Sequence, residues 1–127
     1  MSDLNENDIR ISVRQWLSKA WDPTMSLLEW RTLLVDSRWA VPSWPEKWFG
    51  RAYPAWADDV VRSELLSAGT VATPVGASMN LAAPTIMKHG GDKQKQRFLR
   101  PALTGEETWC QLFSEPSAGS DLAGLGT

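Results

Sequence analysis

The chain is poor in the residues that most soluble proteins use for covalent and metal chemistry. It has one cysteine, Cys110, and one histidine, His89, in 127 residues. A lone cysteine excludes an internal disulfide framework and fits a reducing compartment. A lone histidine with no clustered cysteines gives no metal-ligand set. No apolar run approaches the roughly 20 residues of a membrane-spanning helix. An excess of one charge is also missing: 13 Lys and Arg stand against 15 Asp and Glu, a net charge of −2. That balance gives no electrostatic case for nucleic acid or an anionic membrane. The start, Met1-Ser-Asp-Leu-Asn-Glu6, lacks the basic and apolar regions of a signal peptide, and the expected location is the cytoplasm. There is no internal repeat and no low-complexity tract.

What the chain does have is 43% hydrophobic residues and eight tryptophans. The length suits one domain, or one domain plus a stub, and a real core. Large aromatics serve first in core and interface packing, and they also line flat ligands.

Taken in order, Asn5 to Ala20 reads as an amphipathic helix with Ile9, Val13, Trp16, Leu17 and Ala20 on one stripe. Ser26-Leu-Leu-Glu29 has the form of a capping box. The helix behind it, to about Ser37, would carry Leu27, Trp30, Leu33 and Leu34 inward. From Trp39 to Pro54 the prolines and Gly50 predict an ordered connector with aromatic anchors. Pro54 suits the first turn of a third helix, about Ala55 to Ala68, with Asp58 and Asp59 near its positive end. Trp56, Val60, Val61, Leu65 and Ala68 supply its apolar side. A fourth helix, Ala77 to Lys88, is apolar nearly all round; it should be the most buried, with a kink at Pro84. Asp92 is expected to cap a fifth helix, Lys93 to about Leu99, which Pro101 ends or bends.

The stretch Trp109 to Asp121 carries the chemistry. It begins with strand-like alternation, and Glu115-Pro116 stops it because proline donates no ladder hydrogen bond. Ser117-Ala-Gly-Ser-Asp121 is small and polar, able to turn backbone N–H groups and hydroxyls toward one anionic guest. The same residues also make an ordinary Ser/Gly turn.

Phe113-Ser-Glu-Pro-Ser-Ala-Gly-Ser-Asp121 resembles the flavin-binding signature of the acyl-CoA dehydrogenases, with Ser117 where that family usually has Gly. Trp44-Pro45, the Gly90 to Gln96 run, Leu99-Arg100-Pro101 and Gly105-Glu106 fall at the expected places upstream. The resemblance covers nearly the whole chain and is weakest before Trp44. It implies a mainly α fold: the N-terminal helical bundle of the acyl-CoA dehydrogenase fold, ending in the first strand of a β-domain. The implied organisation is a helical domain over 1–107, with the strand and flavin-binding loop of a truncated β-domain over 108–127. It also implies FAD as cofactor. Phe113 would present backbone to the flavin ring and Ser114 would bond its pyrimidine edge. Gly119 and Ser120 would meet the pyrophosphate, with Ser120 also near the acyl-CoA substrate. Gln111 stands where relatives often place an aromatic against the flavin. Relatives carry a Gly-Gly turn where this chain has Phe49-Gly50, a strained substitution if that position needs positive φ.

The implied reaction is α,β-dehydrogenation of an acyl-CoA thioester, as in fatty acid β-oxidation, with electrons leaving through an electron-transfer flavoprotein from a homo- or hetero-tetramer. No residue of this chain inherits the catalytic base, which is expected beyond Thr127. Glu115 reads as structural, Asp121 as a turn-former, His89 as a helix-end residue and Cys110 as a small buried hydrophobe. Lys93, Lys95, Arg97 and Arg100 read as a solvated face. Met79, Leu81, Ala82 and Met87 could wall an acyl pocket or simply pack the core. Other readings remain: a non-catalytic subunit of a heteromeric dehydrogenase, a flavin oxidase or monooxygenase of the same architecture, and a helical interaction module without cofactor.

Overall fold

A computed structural model describes residues 4–110. Among these there are five α-helices and no strand. Helix α1, Glu6–Ala20, begins where the Asn5 side chain accepts the Asp8 N–H. Helix α2, Leu27–Asp36, begins with the capping box complete in both directions: the Ser26 hydroxyl accepts from the Glu29 N–H and the Glu29 carboxylate from the Ser26 N–H. Helix α3 spans Trp56–Ser67, α4 Ala83–His89 and α5 Asp92–Thr104.

The largest core cluster joins the first three helices: Ile9, Val13 and Leu17 of α1 meet Trp30 and Leu34 of α2 and Val61 of α3. Tryptophan does much of the packing. Trp30 lies 4.7 Å from Trp21 and 5.5 Å from Trp16, ring centre to ring centre. A second cluster, Val35, Val41 and Leu103, fastens α2 to α5. A third, Trp48, Ala83 and Leu99, fastens α4 and α5 to the connector.

Helix α2 is used on two sides, and this overturns the expected inward set. Trp30 and Leu34 face α1 and α3 while Val35 faces α5, which turns the buried face away from Leu33. Leu33 and the first helical residue, Leu27, are both exposed. Trp56, first in α3, is exposed too.

The largest correction concerns the fourth helix. Residues Ser78–Ala82 form a π-turn, closed by the Ala83 N–H to the Ser78 carbonyl, and regular α-helix resumes at Ala83. Pro84 has no N–H to offer the carbonyl a turn earlier, and its ring crowds that carbonyl, so the helix widens by one residue ahead of it. The extra residue rotates the apolar stripe out of phase. Only Ser78 and Ala83 are buried, and Leu81 is 47% exposed. The segment expected to be most buried is instead largely at the surface.

Helix α5 runs through Pro101 to Thr104, because Leu99, Ala102 and Leu103 bury on both sides of the proline. Gly91, not Asp92, is its N-cap; the Gln94 side chain accepts the Gly91 N–H at 3.0 Å. The connector is ordered, as expected. Phe49 adopts φ 74° and ψ 4°, so the left-handed position falls on the phenylalanine. Gly50 is required beside it, since a Cβ there would lie 1.9 Å from the Trp44 carbonyl oxygen.

Candidate functional site

The chain leaves the helices through Glu107–Cys110, and α5 and the π-turn determine where it goes. Arg97 of α5 grips the Glu107 carboxylate with two hydrogen bonds, at 2.5 and 3.0 Å. These bonds, and the nearby positive charge, lower the Glu107 pKa below the ordinary glutamate range. The next residue of the helix, Phe98, meets the Trp109 ring edge-on at 5.3 Å. Ser78 Oγ accepts the Trp109 N–H at 2.7 Å. The Trp109 N–H thus goes to a side chain, and most of the strand expected from Thr108 onward lies outside the described residues. Cys110 is exposed, which corrects the expectation that it is buried.

A groove of about 220 Å³ runs beside this exit, lined by Leu81, Ala82, Thr85, Ile86, Trp109 and Cys110, with Ala77 at one end. A larger cavity, about 470 Å³, lies on the other side of the π-turn between α3 and the connector. Trp39, Val41, Trp44, Val61 and Met79 supply its apolar walls, and Asp58 and Asn80 its polar ones. Asp58 is held in place by the Ser43 N–H at 2.9 Å and by the Ser43 hydroxyl. The candidate acyl-wall residues are therefore divided. Leu81 and Ala82 line the groove beside Trp109, Met79 lines the larger cavity, and Met87 packs against the Trp48–Leu99 cluster.

Three of the basic residues of α5 have fixed partners at the surface. Arg97 pairs with Glu107, Arg100 with Asp36 at 2.7 Å, and Lys95 sits over the Trp48 ring at 5.6 Å. His89 is exposed at the C-terminal end of α4. Among the described residues no cluster of His, Cys, Asp and Glu could hold a metal ion, and no helix is long and apolar enough to cross a membrane. Gln111, Phe113, Ser114, Gly119 and Ser120, the residues expected to meet flavin and substrate, lie outside the described residues. Nothing in the sequence singles out Ser78 beyond a hydroxyl in a largely apolar run.

Residues 3–106 match the family described as Acyl-CoA dehydrogenase, N-terminal domain. The chain belongs to the acyl-CoA dehydrogenase family. It is 43% identical over 94 residues to acyl-CoA dehydrogenase FadE34 of Mycobacterium tuberculosis, covering 74% of this chain and 13% of that protein. It is 36% identical over 59 residues to the mitochondrial isovaleryl-CoA dehydrogenase of Arabidopsis thaliana, covering 46% of this chain and 14% of that protein. Among solved structures, a chain of the ChsE4–ChsE5 complex from Mycobacterium tuberculosis matches with a TM-score of 0.59 and 28% identity, over 98% of this chain and 34% of that one. The chain thus spans 13% of FadE34 and about a third of the matched ChsE4–ChsE5 chain. The helical unit is the N-terminal acyl-CoA dehydrogenase fold.

Proposed function

We propose that this chain supplies the helical N-terminal domain, residues 1–107, and the start of the β-domain, residues 108–127, of an FAD-dependent acyl-CoA dehydrogenase. The observation that carries the reading is continuity: a scaffold of this family leads through Trp109 directly into Phe113-Ser-Glu-Pro-Ser-Ala-Gly-Ser-Asp121. The donor set of that stretch fits the group. Hydroxyls at Ser114 and Ser120 and the N–H at Gly119 suit a pyrophosphate and a ring that becomes anionic on reduction. The flavin would supply the two-electron acceptor for α,β-dehydrogenation of an acyl-CoA thioester. The residues of this chain would bind and orient: Phe113 and Ser114 at the ring, with Gln111 adjoining, Gly119 and Ser120 at the pyrophosphate, Ser120 also at the thioester ligand, and the π-turn groove walling the approach. The base would come from elsewhere in the whole protein. An electron-transfer flavoprotein would take the electrons, a tetramer would be the working assembly, and the cytoplasm the location.

The test is the visible spectrum of the full-length protein, recorded anaerobically before and after a panel of acyl-CoA thioesters. A yellow protein bleached by one thioester supports the dehydrogenase. A colourless protein that FAD does not reconstitute refutes the flavin reading. A yellow protein that no thioester bleaches favours a second reading, a non-catalytic subunit of a heteromeric dehydrogenase. Phe49 in the left-handed conformation and Ser117 in a glycine's place suit such relaxed constraint, and the matched structural relative is itself one chain of a two-component complex.

A further inference from the structure

Most arginines of the bundle face a carboxylate. Arg10 and Arg14 meet Glu64, Arg62 meets Asp59, Arg97 meets Glu107 and Arg100 meets Asp36. Arg38 and Arg51, on either side of the loop from Trp39 to Gly50, meet none among the described residues. Their hydrogen bonds go to backbone carbonyls instead. Arg38 Nη1 donates to the carbonyls of Glu46 and Gly50. Arg51 donates through Nη2 to the Ser37 carbonyl at 2.6 Å and through Nε to the Arg38 carbonyl at 3.3 Å. Its guanidinium also sits 3.3 Å from the centre of the Trp39 ring. Carbonyl oxygens accept these bonds but cancel no charge. Both cations are therefore fixed in place and unneutralised. Nε and Nη2 of Arg38 and Nη1 of Arg51 remain unspent among the described residues. Arg38 is held at φ 69°, a left-handed position that strains most residues other than glycine, and such strain recurs at ligand clamps. The two arginines meet at a hollow of about 370 Å³, which Glu46, Gly50 and Tyr53 also line. Two fixed cations stand there against one carboxylate, that of Glu46.

We propose that this hollow is a binding site for a phosphate monoester. Guanidinium N–H groups form planar forks that match pairs of phosphate oxygens. A phosphate monoester brings three such oxygens and close to two negative charges at neutral pH. That is enough to engage both arginines and to outweigh the repulsion from Glu46. A carboxylate ligand brings two oxygens and one charge, which a single arginine satisfies. The anchoring is already in place, so binding orders neither guanidinium. The hollow shares no residue with the groove at Trp109, and the proposal does not depend on the flavin reading.

The experiment titrates the full-length protein with inorganic phosphate and, in a second arm, with AMP, at constant ionic strength set by chloride. Heat and the Trp39 indole N–H resonance are read together, because Arg51 covers that ring. Phosphate should bind and shift the Trp39 signal. Arg38→Gln and Arg51→Gln should each raise the Kd roughly tenfold, the scale of a lost charge-assisted hydrogen bond. Glu46→Gln should lower the Kd, since it removes the one opposing charge. Arg97→Gln, whose arginine is spent on Glu107, should leave it unchanged. If Arg51→Gln does not fold for want of its contact with Trp39, Arg38→Gln and Glu46→Gln still decide. A merely structural role for the arginines predicts no tightening in Glu46→Gln. No Trp39 shift, a Kd indifferent to Arg38→Gln, or a Kd unmoved by Glu46→Gln each overturns the site. Tighter binding of AMP than of phosphate, lost in Arg38→Gln, supports the site and assigns it a nucleotide. Equal binding of the two, lost in the same variant, supports it and assigns it free phosphate.

Discussion

Arg14 of α1 holds Glu64 of α3 through two parallel hydrogen bonds, Nε to Oε2 at 2.8 Å and Nη2 to Oε1 at 2.9 Å. Arg10 adds another to Oε1 at 2.9 Å. Glu64 is 5% exposed, so this carboxylate is ionised within the packed contact between the two helices. The Arg14 hydrogen bond leads in lowering its pKa, with Arg10 helping, against the opposing effect of burial. The unfolded chain therefore takes up this proton more readily than the folded one. The stabilisation is fully present above the ordinary glutamate value of about 4.3 and is lost as pH falls through the lower folded value. Glu64→Gln should cost about 2 kcal/mol at neutral pH, because the charge-assisted bonds are weakened inside the contact. It should also flatten part of the acid side of the Tm-against-pH curve. Equal acid slopes in wild type and variant would show that the pair does not titrate as described.

Trp30 donates its indole N–H to the Val71 carbonyl at 2.7 Å, tying α2 to the segment after α3. Trp30→Phe keeps an aromatic ring among Ile9, Val13 and Leu34 but leaves that carbonyl without its donor. The expected loss is about 2 kcal/mol from the unmade bond and the smaller ring together, read as a shift in denaturation midpoint with unchanged slope. A change of slope would mean that the substitution altered the compactness of the folded or unfolded state, or broke two-state unfolding.

The connector carries two non-glycine residues of opposite value. Phe49 and Ala52 both have positive φ, 74° and 55°. Ala52 is exposed, so Ala52→Gly relieves backbone strain and removes little packing. It should stabilise by about 0.5 kcal/mol after the added freedom of the unfolded chain is counted. Phe49→Gly relieves similar strain, but it removes a ring packed against the Val41–Leu103 and Trp48–Leu99 clusters. The expected net is a loss of about 1 kcal/mol. Thermal melts of both variants decide the matter, and a stabilised Phe49→Gly would show that the ring contributes less than its place implies.

The elements legible in the sequence were those whose signal is local. The capping box at Ser26–Glu29 and the stripe Ile9–Val13–Leu17 depend on neighbours three or four residues away, and both appear as read. Leu33 departs from its expected place because a periodic stripe implies one buried helix face, whereas α2 meets both α1–α3 and α5. The fourth helix departs from expectation because periodicity presumes a constant residues-per-turn, and the π-turn ahead of Pro84 breaks that constancy. Pro84 did announce a disturbance, but a kink and a phase shift look alike in sequence. For the site, the signature series named the family, since its information lies in residue identity. The tie from Ser78 to Trp109 joins residues far apart in the chain, and nothing local marks it.

Met79 and Leu81, both candidates to wall an acyl group, lie on different sides of the π-turn, as two positions two residues apart on a helix do. Met79 faces the 470 Å³ cavity and packs on the Val35–Leu103 cluster, while Leu81 lines the 220 Å³ groove at Trp109. If the chain serves an acyl-CoA dehydrogenase as proposed, the groove beside Trp109 is the one that meets the thioester ligand. Leu81→Trp should then fill it and raise the KM for longer acyl-CoA thioesters roughly tenfold, the scale of a misfit of one or two methylenes. Because Leu81 is already half-exposed, the change should move the Tm little. Met79→Ala should do the reverse: a loss of about 1.5 kcal/mol from a partly buried side chain, with the chain-length profile unchanged. Steady-state kinetics of the full-length variants across an acyl-CoA series, set beside their melting curves, separate the two. A chain-length shift in Met79→Ala with none in Leu81→Trp would move the acyl pocket to the α3 side of the π-turn.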